Sequence, residues 1–392
     1  MKHMKFLSFF LGVTFSIVAC SSNNEIIPVP DVDPDGDDGT TEVEFAKGAD
    51  IGWVTEYESK GYNFYNAKGE QRECTALMKE LGLNAIRIRV WVDPSKHGNW
   101  CNTADVVEKA KRAKELGMDV MIDFHYSDWW ADPAQQNKPA SWVGKNLANL
   151  KSAIKDHTVS VLQALKTIGV IPKWVQVGNE IRPGMLWDED VALSGASYNV
   201  TEKDLKDAPA SATDKVVYPM NWANLGAFVT TGYDAVKSVF PDAIVIVHLD
   251  NGWDSGLFTW FFDELKKNGG KWDMIGMSLY PYWSRDAKEG YSSADAVITD
   301  CISKALSTKY NCDVMVVETG MECADDNGKL ASNSVLNEGK RQLARILKEC
   351  KENTNGRCKG VFYWEPECRP SQYRLGAFTE EGRPTVIMDA FK

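Results

Sequence analysis

The chain has 392 residues, a formal net charge of −11 and 14 tryptophans. An acidic protein with no basic stripe is a poor partner for nucleic acid and for an anionic polymer, so both are excluded as ligands. The length could hold two ordinary domains, but alternating α/β barrels of this size are commonly one.

Lys2, His3 and Lys5 precede an apolar run from Phe6 to Val18. That run falls short of the roughly twenty apolar residues a spanning helix needs, and its basic start marks it as a secretory signal. It ends Ile17-Val18-Ala19-Cys20, which resembles a bacterial lipoprotein cleavage site. The resemblance implies that residues 1–19 are removed and that Cys20 is acylated. The chain would then be exported and lipid-anchored at the cell envelope, on the outer-membrane surface. Ordinary secretion with an incidental Cys20 is the alternative. Residues 20–44 mix Pro28, Pro30 and Pro34 with five aspartates between Asp31 and Asp38. With so little apolar surface to bury, this segment is expected to be a disordered tether. It lacks the flanking helices and terminal glutamate of an EF-hand.

Residues 45–392 are expected to form one catalytic domain. Apolar runs of strand length occur at Ala49–Val54, Asn84–Trp91, Val120–His125, Trp174–Gly178, Ala243–Leu249, Met274–Tyr280, Val314–Val317 and Gly360–Trp364. Helical periodicity lies between them, at Ala104–Leu116, Leu147–Ile168, Leu225–Phe240 and Glu338–Cys350, where apolar residues recur on one face. Gly82, Gly117 and Gly169 stand where left-handed caps would release helices into the next strand. Continuous rather than alternating apolar runs indicate strands buried on both faces, hence a parallel sheet. Eight successive βα units predict a (β/α)8 TIM barrel of the α/β class. A doubly wound sheet is the rival, but no glycine-rich phosphate turn follows the first strand. Apart from Cys20, eight cysteines remain. In an exported chain they are expected to form disulfides, with Cys350–Cys358 and Cys301–Cys312 spaced for local loops and buried free thiols as the alternative. No CxxC pair or histidine cluster offers a zinc site.

Barrel chemistry sits at the C-terminal rim. Strand four ends Gln176-Val177-Gly178-Asn179-Glu180 and strand seven ends Val316-Val317-Glu318. By the period of two, Gln176, Gly178 and Glu180 share one side, and so do Val314, Val316 and Glu318. A glutamate ending an apolar strand is rarely left unpaired, so each has either a salt-bridge partner or a function. Two such glutamates facing one mouth fit acetal hydrolysis, where one carboxyl protonates the leaving oxygen and the other attacks the anomeric carbon.

These glutamates are the hallmark of clan A glycoside hydrolases. The segments Gly48-Ala49-Asp50, Arg87-Ile88-Arg89-Val90-Trp91, Asp123 to Pro133 (DFHYSDWWADP), Gln176 to Glu180 and Tyr363-Trp364-Glu365-Pro366 resemble the endo-β-1,4-galactanases of glycoside hydrolase family 53, over about Lys47 to Ala390. The resemblance implies a retaining enzyme cutting β-1,4-galactan of pectic arabinogalactan type I, with Glu180 as acid/base and Glu318 as nucleophile. It assigns Asn179 to the sugar 2-hydroxyl, Trp364 to a platform under the reacting sugar, and Tyr280 to Glu318. His125 would hydrogen-bond the sugar or the acid/base. Either Arg87 or Arg89 would hold the nucleophile ionised, since both lie on one face; Arg89 is also a substrate-binding candidate. Trp91, Trp129 and Trp130 are candidates to stack on sugar, against core packing, which is the commoner fate of tryptophan. The strand-one turn, Ala49 to Trp53, departs from the family, which more often has serines there. Many bacterial relatives hold calcium in a long loop after strand eight; the compact Glu365 to Gln372 segment gives no such expectation, and no cofactor is foreseen. The polar stretch Trp187 to Tyr218 is expected to wall one end of the cleft. The enzyme is expected to act as a monomer on galactan or galactooligosaccharides. Another clan A β-glycanase (mannanase, xylanase or β-galactosidase) is the runner-up. A non-catalytic glycan-binding lipoprotein would require loss of one carboxylate.

Overall fold

A computed structural model describes residues 44–187, 221–287 and 306–392. The signal, Cys20, the acidic tether, Cys301 and the stretch after Trp187 lie outside these residues. Eight parallel strands close into a barrel: β1 (Ala46–Asp50), β2 (Ala85–Val90), β3 (Asp119–Phe124), β4 (Trp174–Val177), β5 (Ile244–Leu249), β6 (Met274–Ser278), β7 (Asp313–Thr319) and β8 (Cys358–Tyr363). Each pairs with its sequence neighbours, and β8 closes onto β1 through pairs such as Gly48 with Phe362. The sequence therefore folds as the TIM barrel its βα alternation predicts. Strand one begins three residues earlier than expected, because Ile51 to Trp53 turn into a short helix over Val54–Ser59.

Local signals set the helices. Asn102 accepts a hydrogen bond from the backbone N–H of Asp105 and starts the helix Thr103–Glu115. Asn146 and Ser332 cap the helices Leu147–Thr167 and Asn333–Glu352 in the same way, satisfying N–H groups that the helix itself cannot. Gly82 and Gly117 adopt φ of 98° and 64°, the left-handed conformation that lets a helix turn into the next strand.

Side chains alternate across each strand, so one set packs against helices and the other fills the barrel. Ala46, Ala85, Met121, Trp174, Ile246, Met274, Met315, Val317 and Phe362 form an apolar floor inside. Gly48 belongs to that floor for a steric reason: a Cβ there would lie 2.2 Å from the Phe362 ring. Towards the rim, the next inward positions are polar: Asp50, Arg87, Asp123, Gln176, His248 and Ser278, all buried. Strand seven corrects one expectation. Val314 and Val316 pack in the outer core with the helices, not on the same side as Glu318. Met277 pairs with Val316 but Ser278 pairs with Glu318. This irregularity breaks the alternation, so Glu318 turns inward immediately after the inward Val317.

The seven described cysteines are free thiols, six of them buried. Cys350 and Cys358, whose spacing would allow a local loop, are not bridged, and both pack in the outer core. The other locally spaced pair, Cys301–Cys312, involves a residue outside the described set.

Candidate active site

The polar layer is organised by Arg87. Its Nη1 donates to Asp50 Oδ2 at 2.6 Å and to Glu318 Oε1 at 2.8 Å. Its Nη2 donates to Asp123 Oδ2 at 2.9 Å, Asn179 Oδ1 at 2.8 Å and Gln176 Oε1 at 3.1 Å. A planar guanidinium suits this fan of acceptors, and being always charged it offsets the burial of several carboxylates at once. The choice that periodicity left open is thereby made: Arg87 faces Glu318.

Arg89 takes another position. It is buried and ion-paired with Glu365, and its guanidinium carbon lies 4.3 Å from the ring centre of Trp130, 5.2 Å from Trp53 and 5.3 Å from Trp91. Glu365 in turn accepts the backbone N–H groups of Gly52 (3.0 Å) and Trp53 (3.3 Å). Arg89 therefore supports an aromatic wall from behind and corrects its assignment to substrate contact. The N–H groups of the strand-one turn anchor Glu365 at this point.

Glu180 follows β4 in a turn with Gly178 at φ 81° and Glu180 itself at φ 47°, a conformation uncommon for glutamate and typical of strained functional turns. Gln136 holds the turn by donating to the carbonyls of Asn179 (2.8 Å) and Glu180 (3.3 Å). Ser278 Oγ donates to Glu180 Oε1 at 2.6 Å and lies 3.5 Å from Glu318 Oε2. Tyr280 donates its hydroxyl to Glu318 Oε2 at 3.0 Å, as expected from its place after strand six. Both glutamates, with Asn179, His125, Trp364 and Trp130, line a cleft of about 320 Å³, a size suited to a small ligand or part of a longer one.

The two carboxyls differ electrostatically. Burial in the cleft, then the charge of Glu318, holds Glu180 well above the usual carboxylate range, and its hydrogen bond from Ser278 opposes this only in part. Burial also raises Glu318, but Arg87 is the leading opposing influence and Tyr280 helps it. As pH rises Glu318 thus loses its proton before Glu180 does, the division of labour that tuned carboxylate pairs use.

The remaining candidates separate. Asn179 donates one amide hydrogen to Ala131 O at 2.8 Å and lines the cleft. His125 lines the cleft, but its Nδ1 accepts N–H groups from Trp91 (3.2 Å) and Ala131 (3.1 Å), and its Nε2 meets Asp123 Oδ2 at 3.0 Å. Both ring nitrogens are occupied by protein, which corrects the expectation of a bond to sugar or acid/base; His125 braces the wall. Trp91 is 1% exposed, packed 4.5 Å from Trp129 and 5.2 Å from Trp130, and cannot stack on a ligand. Trp129 is half-buried and stacks on His97 at 3.8 Å, outside the cleft lining. Of the three adjacent candidates, Trp130 alone lines the cleft. Trp364 lines it too, edge-on to Trp53 at 5.5 Å and to Tyr373 at 4.7 Å. Sequence reasoning missed Ser278, His248, Asp250, Trp253 and the 54% exposed Trp283. The period of two back from Tyr280 leads to Ser278.

No three His, Cys, Asp or Glu side chains converge on a metal position among the described residues. In the loop after β8, Glu365 and Glu367 are both fully buried.

The sequence matches the profile of Glycosyl hydrolase family 53 over residues 46–384. The chain belongs to that family. It is 31% identical to an arabinogalactan endo-beta-1,4-galactanase of Thermothelomyces thermophilus over 332 residues, covering 82% of this chain and 89% of the relative. It is 29% identical to the endo-beta-1,4-galactanase of Bacillus subtilis strain 168 over 365 residues, covering 89% and 75% respectively. Among solved structures, a fungal beta-1,4-galactanase superposes with a TM-score of 0.71 at 28% identity, covering 88% of this chain and 98% of that one. The family 53 catalytic domain of Ignisphaera aggregans gives a TM-score of 0.72 at 25% identity, covering 94% and 98%. The family 53 chain is a glycoside hydrolase built on a TIM barrel.

Proposed function

We propose that this glycoside hydrolase is a retaining endo-β-1,4-galactanase, with Glu180 as acid/base and Glu318 as nucleophile. The observation that carries the mechanism is the shared serine. A hydroxyl 2.6 Å from one carboxylate and 3.5 Å from the other cannot join oxygens more than about 6 Å apart, which favours direct attack by the second carboxylate over a water placed between the two. Glu180, held protonated, gives its proton to the glycosidic oxygen as Glu318, ionised beside Arg87, attacks the anomeric carbon. A covalent galactosyl–enzyme results. Glu180, now ionised, takes a proton from water, and that water displaces Glu318. Asn179 is placed to meet the 2-hydroxyl as positive charge develops on the ring. Trp364 and Trp130 supply flat apolar faces for a galactose ring, which binds carbohydrate without requiring charge.

Galactan as substrate rests on the named activities of the relatives and on the sequence of the β3 rim. Incubation with purified β-1,4-galactan should release galactooligosaccharides of several lengths. Release from mannan or xylan but not from galactan would replace the substrate. NMR of the fresh product should show the β-anomer first; initial α-anomer would overturn the retaining mechanism. Acylation of Cys20 would keep the enzyme at the cell envelope, and incorporation of labelled palmitate by wild type but not by Cys20→Ala would test it.

A further inference from the structure

We infer that His248 and Ser278 form a one-way hydrogen-bond chain that fixes which oxygen of Glu180 carries the catalytic proton. The inference rests on the reading of Glu180 as acid/base. His248 is fully buried on β5, with Nε2 2.8 Å from Ser278 Oγ. Around its Nδ1 lie two donors, Gln176 Nε2 at 3.0 Å and the Glu180 backbone N–H at 3.4 Å, and one acceptor, Asn179 Oδ1 at 3.0 Å.

The amides are not free to exchange these roles. Gln176 Oε1 accepts from Arg87, and Asn179 Nδ2 donates to Ala131 O. Gln176 Nε2 gives one hydrogen to Asp123 Oδ1 at 2.7 Å; its other goes either to Nδ1 itself or to Asn179 Oδ1, which already receives Arg87 Nη2 at 2.8 Å and would then have both lone pairs filled. Nδ1 is therefore an acceptor. Burial, with Arg87 adding to it, holds the imidazole neutral, so its single N–H sits on Nε2 and points to Ser278. With one of its two lone pairs engaged by His248, Ser278 keeps its single hydrogen to give. Glu180 Oε1 at 2.6 Å takes it in preference to Glu318 Oε2 at 3.5 Å, which already receives Tyr280.

Oε1 of Glu180 is thus a standing acceptor, and the proton is confined to Oε2. When Glu180 ionises after the first step, the same hydroxyl steadies the carboxylate and nothing buried must reorient. The other charged and titratable groups bearing on Glu180 are Glu318 on β7, Tyr280 after β6, Asp250 after β5 with its partner Arg182, and Asp132 after β3. Behind them stand Arg87 on β2 and His125 at the end of β3. Ser278 is the one side chain donating to the Glu180 carboxylate among the described residues.

The chain is tested first by ¹⁵N-histidine NMR of the full-length protein, whose five histidines make assignment tractable. His248 should be neutral with the proton on Nε2 throughout the titration of Glu180; an Nδ1–H tautomer or an imidazolium overturns the inference. Removing the donor in Ser278→Ala makes ionised Glu180 harder to form. The alkaline limb of kcat/KM should then move to higher pH, and kcat should fall about tenfold, the effect of one hydrogen bond to a charged group. His248→Gln places an amide N–H near the former Nε2 and should keep the wild-type limb. His248→Asn places its amide near Nδ1 and should move the limb as Ser278→Ala does. Loss of activity with an unmoved limb in Ser278→Ala and His248→Asn would reduce the pair to scaffold. Glu180→Gln separates the two levels. If it retains turnover, the acid/base reading fails; if it is inactive while Ser278→Ala keeps the wild-type limb, the chain alone fails.

Discussion

Arg87 and Arg89 lie two residues apart on one strand, face the same way and are both buried, yet they organise different regions. Arg87 sits among oxygen acceptors from β1, β3, β4 and β7 and holds the carboxylate of Glu318. Arg89, one layer nearer the rim, has one carboxylate partner and three indole faces. A buried cation needs compensation, and the two solutions differ in consequence. One fixes the charge state of reacting groups. The other fixes the shape of the surface that meets substrate.

If that division is real, the two arginines should fail differently. Arg87→Met should have the largest effect, because it leaves Asp50, Asp123 and Glu318 buried without their shared cation. Breaking a buried pair typically costs about 3–5 kcal/mol, and kcat should fall by orders of magnitude. Its sign in pH is also set. Arg87 lowers the pKa of Glu318 against the effect of burial, so its removal lets Glu318 rise further, and the acid limb of any residual activity should shift to higher pH. A variant that folds and keeps the wild-type acid limb would show that Arg87 does not set the ionisation of Glu318.

Arg89→Met should be milder and differently distributed. The methionine can fill part of the space between the indoles, but Glu365 loses its cation and the wall loses its backing. Steady-state kinetics on galactooligosaccharides should show KM raised roughly tenfold, about 1.4 kcal/mol of lost binding, with a smaller change in kcat and an unmoved acid limb. A large fall in kcat with unchanged KM would erase the contrast between the two arginines.

What was legible in the sequence follows the same line. The barrel could be read because apolar runs, helical stripes and capping glycines repeat along the chain. Glu180 and Glu318 could be read because a carboxylate ending a buried strand demands a reason. Arg87 and Arg89 could not be told apart, since a period of two places both on one face and only depth in the barrel separates them. Trp129 and Trp130 have neighbouring positions but opposite fates, decided by the path of an irregular loop. His248 and Ser278 carry no such signal: each is a small polar interruption in an apolar strand, and its meaning depends on two other strands. The facing of Glu318 was hidden by a local irregularity that pairing, not composition, reveals.

The smallest expected effect reaches the Arg89 region from the backbone. Gly52 passes so close to the ion pair that a Cβ there would lie 2.0 Å from Arg89 Nη1 and 2.6 Å from Glu365 Oε1. In Gly52→Ala these side-chain ends must shift, and overpacking of this kind costs about 1–3 kcal/mol. Glu365 would lose its hold on the strand-one turn before Arg87 is disturbed, since Arg87 contacts Asp50 one turn deeper. Gly52→Ala should therefore unfold a few degrees lower and raise KM in the direction of Arg89→Met, while its pH limbs match wild type. Combined with Arg89→Met, the second substitution should add less than it does alone, because the nearest atom it strikes has gone and residues sharing one contact are not additive. Full additivity in the double variant would place Gly52 and Arg89 in separate structures and dissolve the wall as a unit.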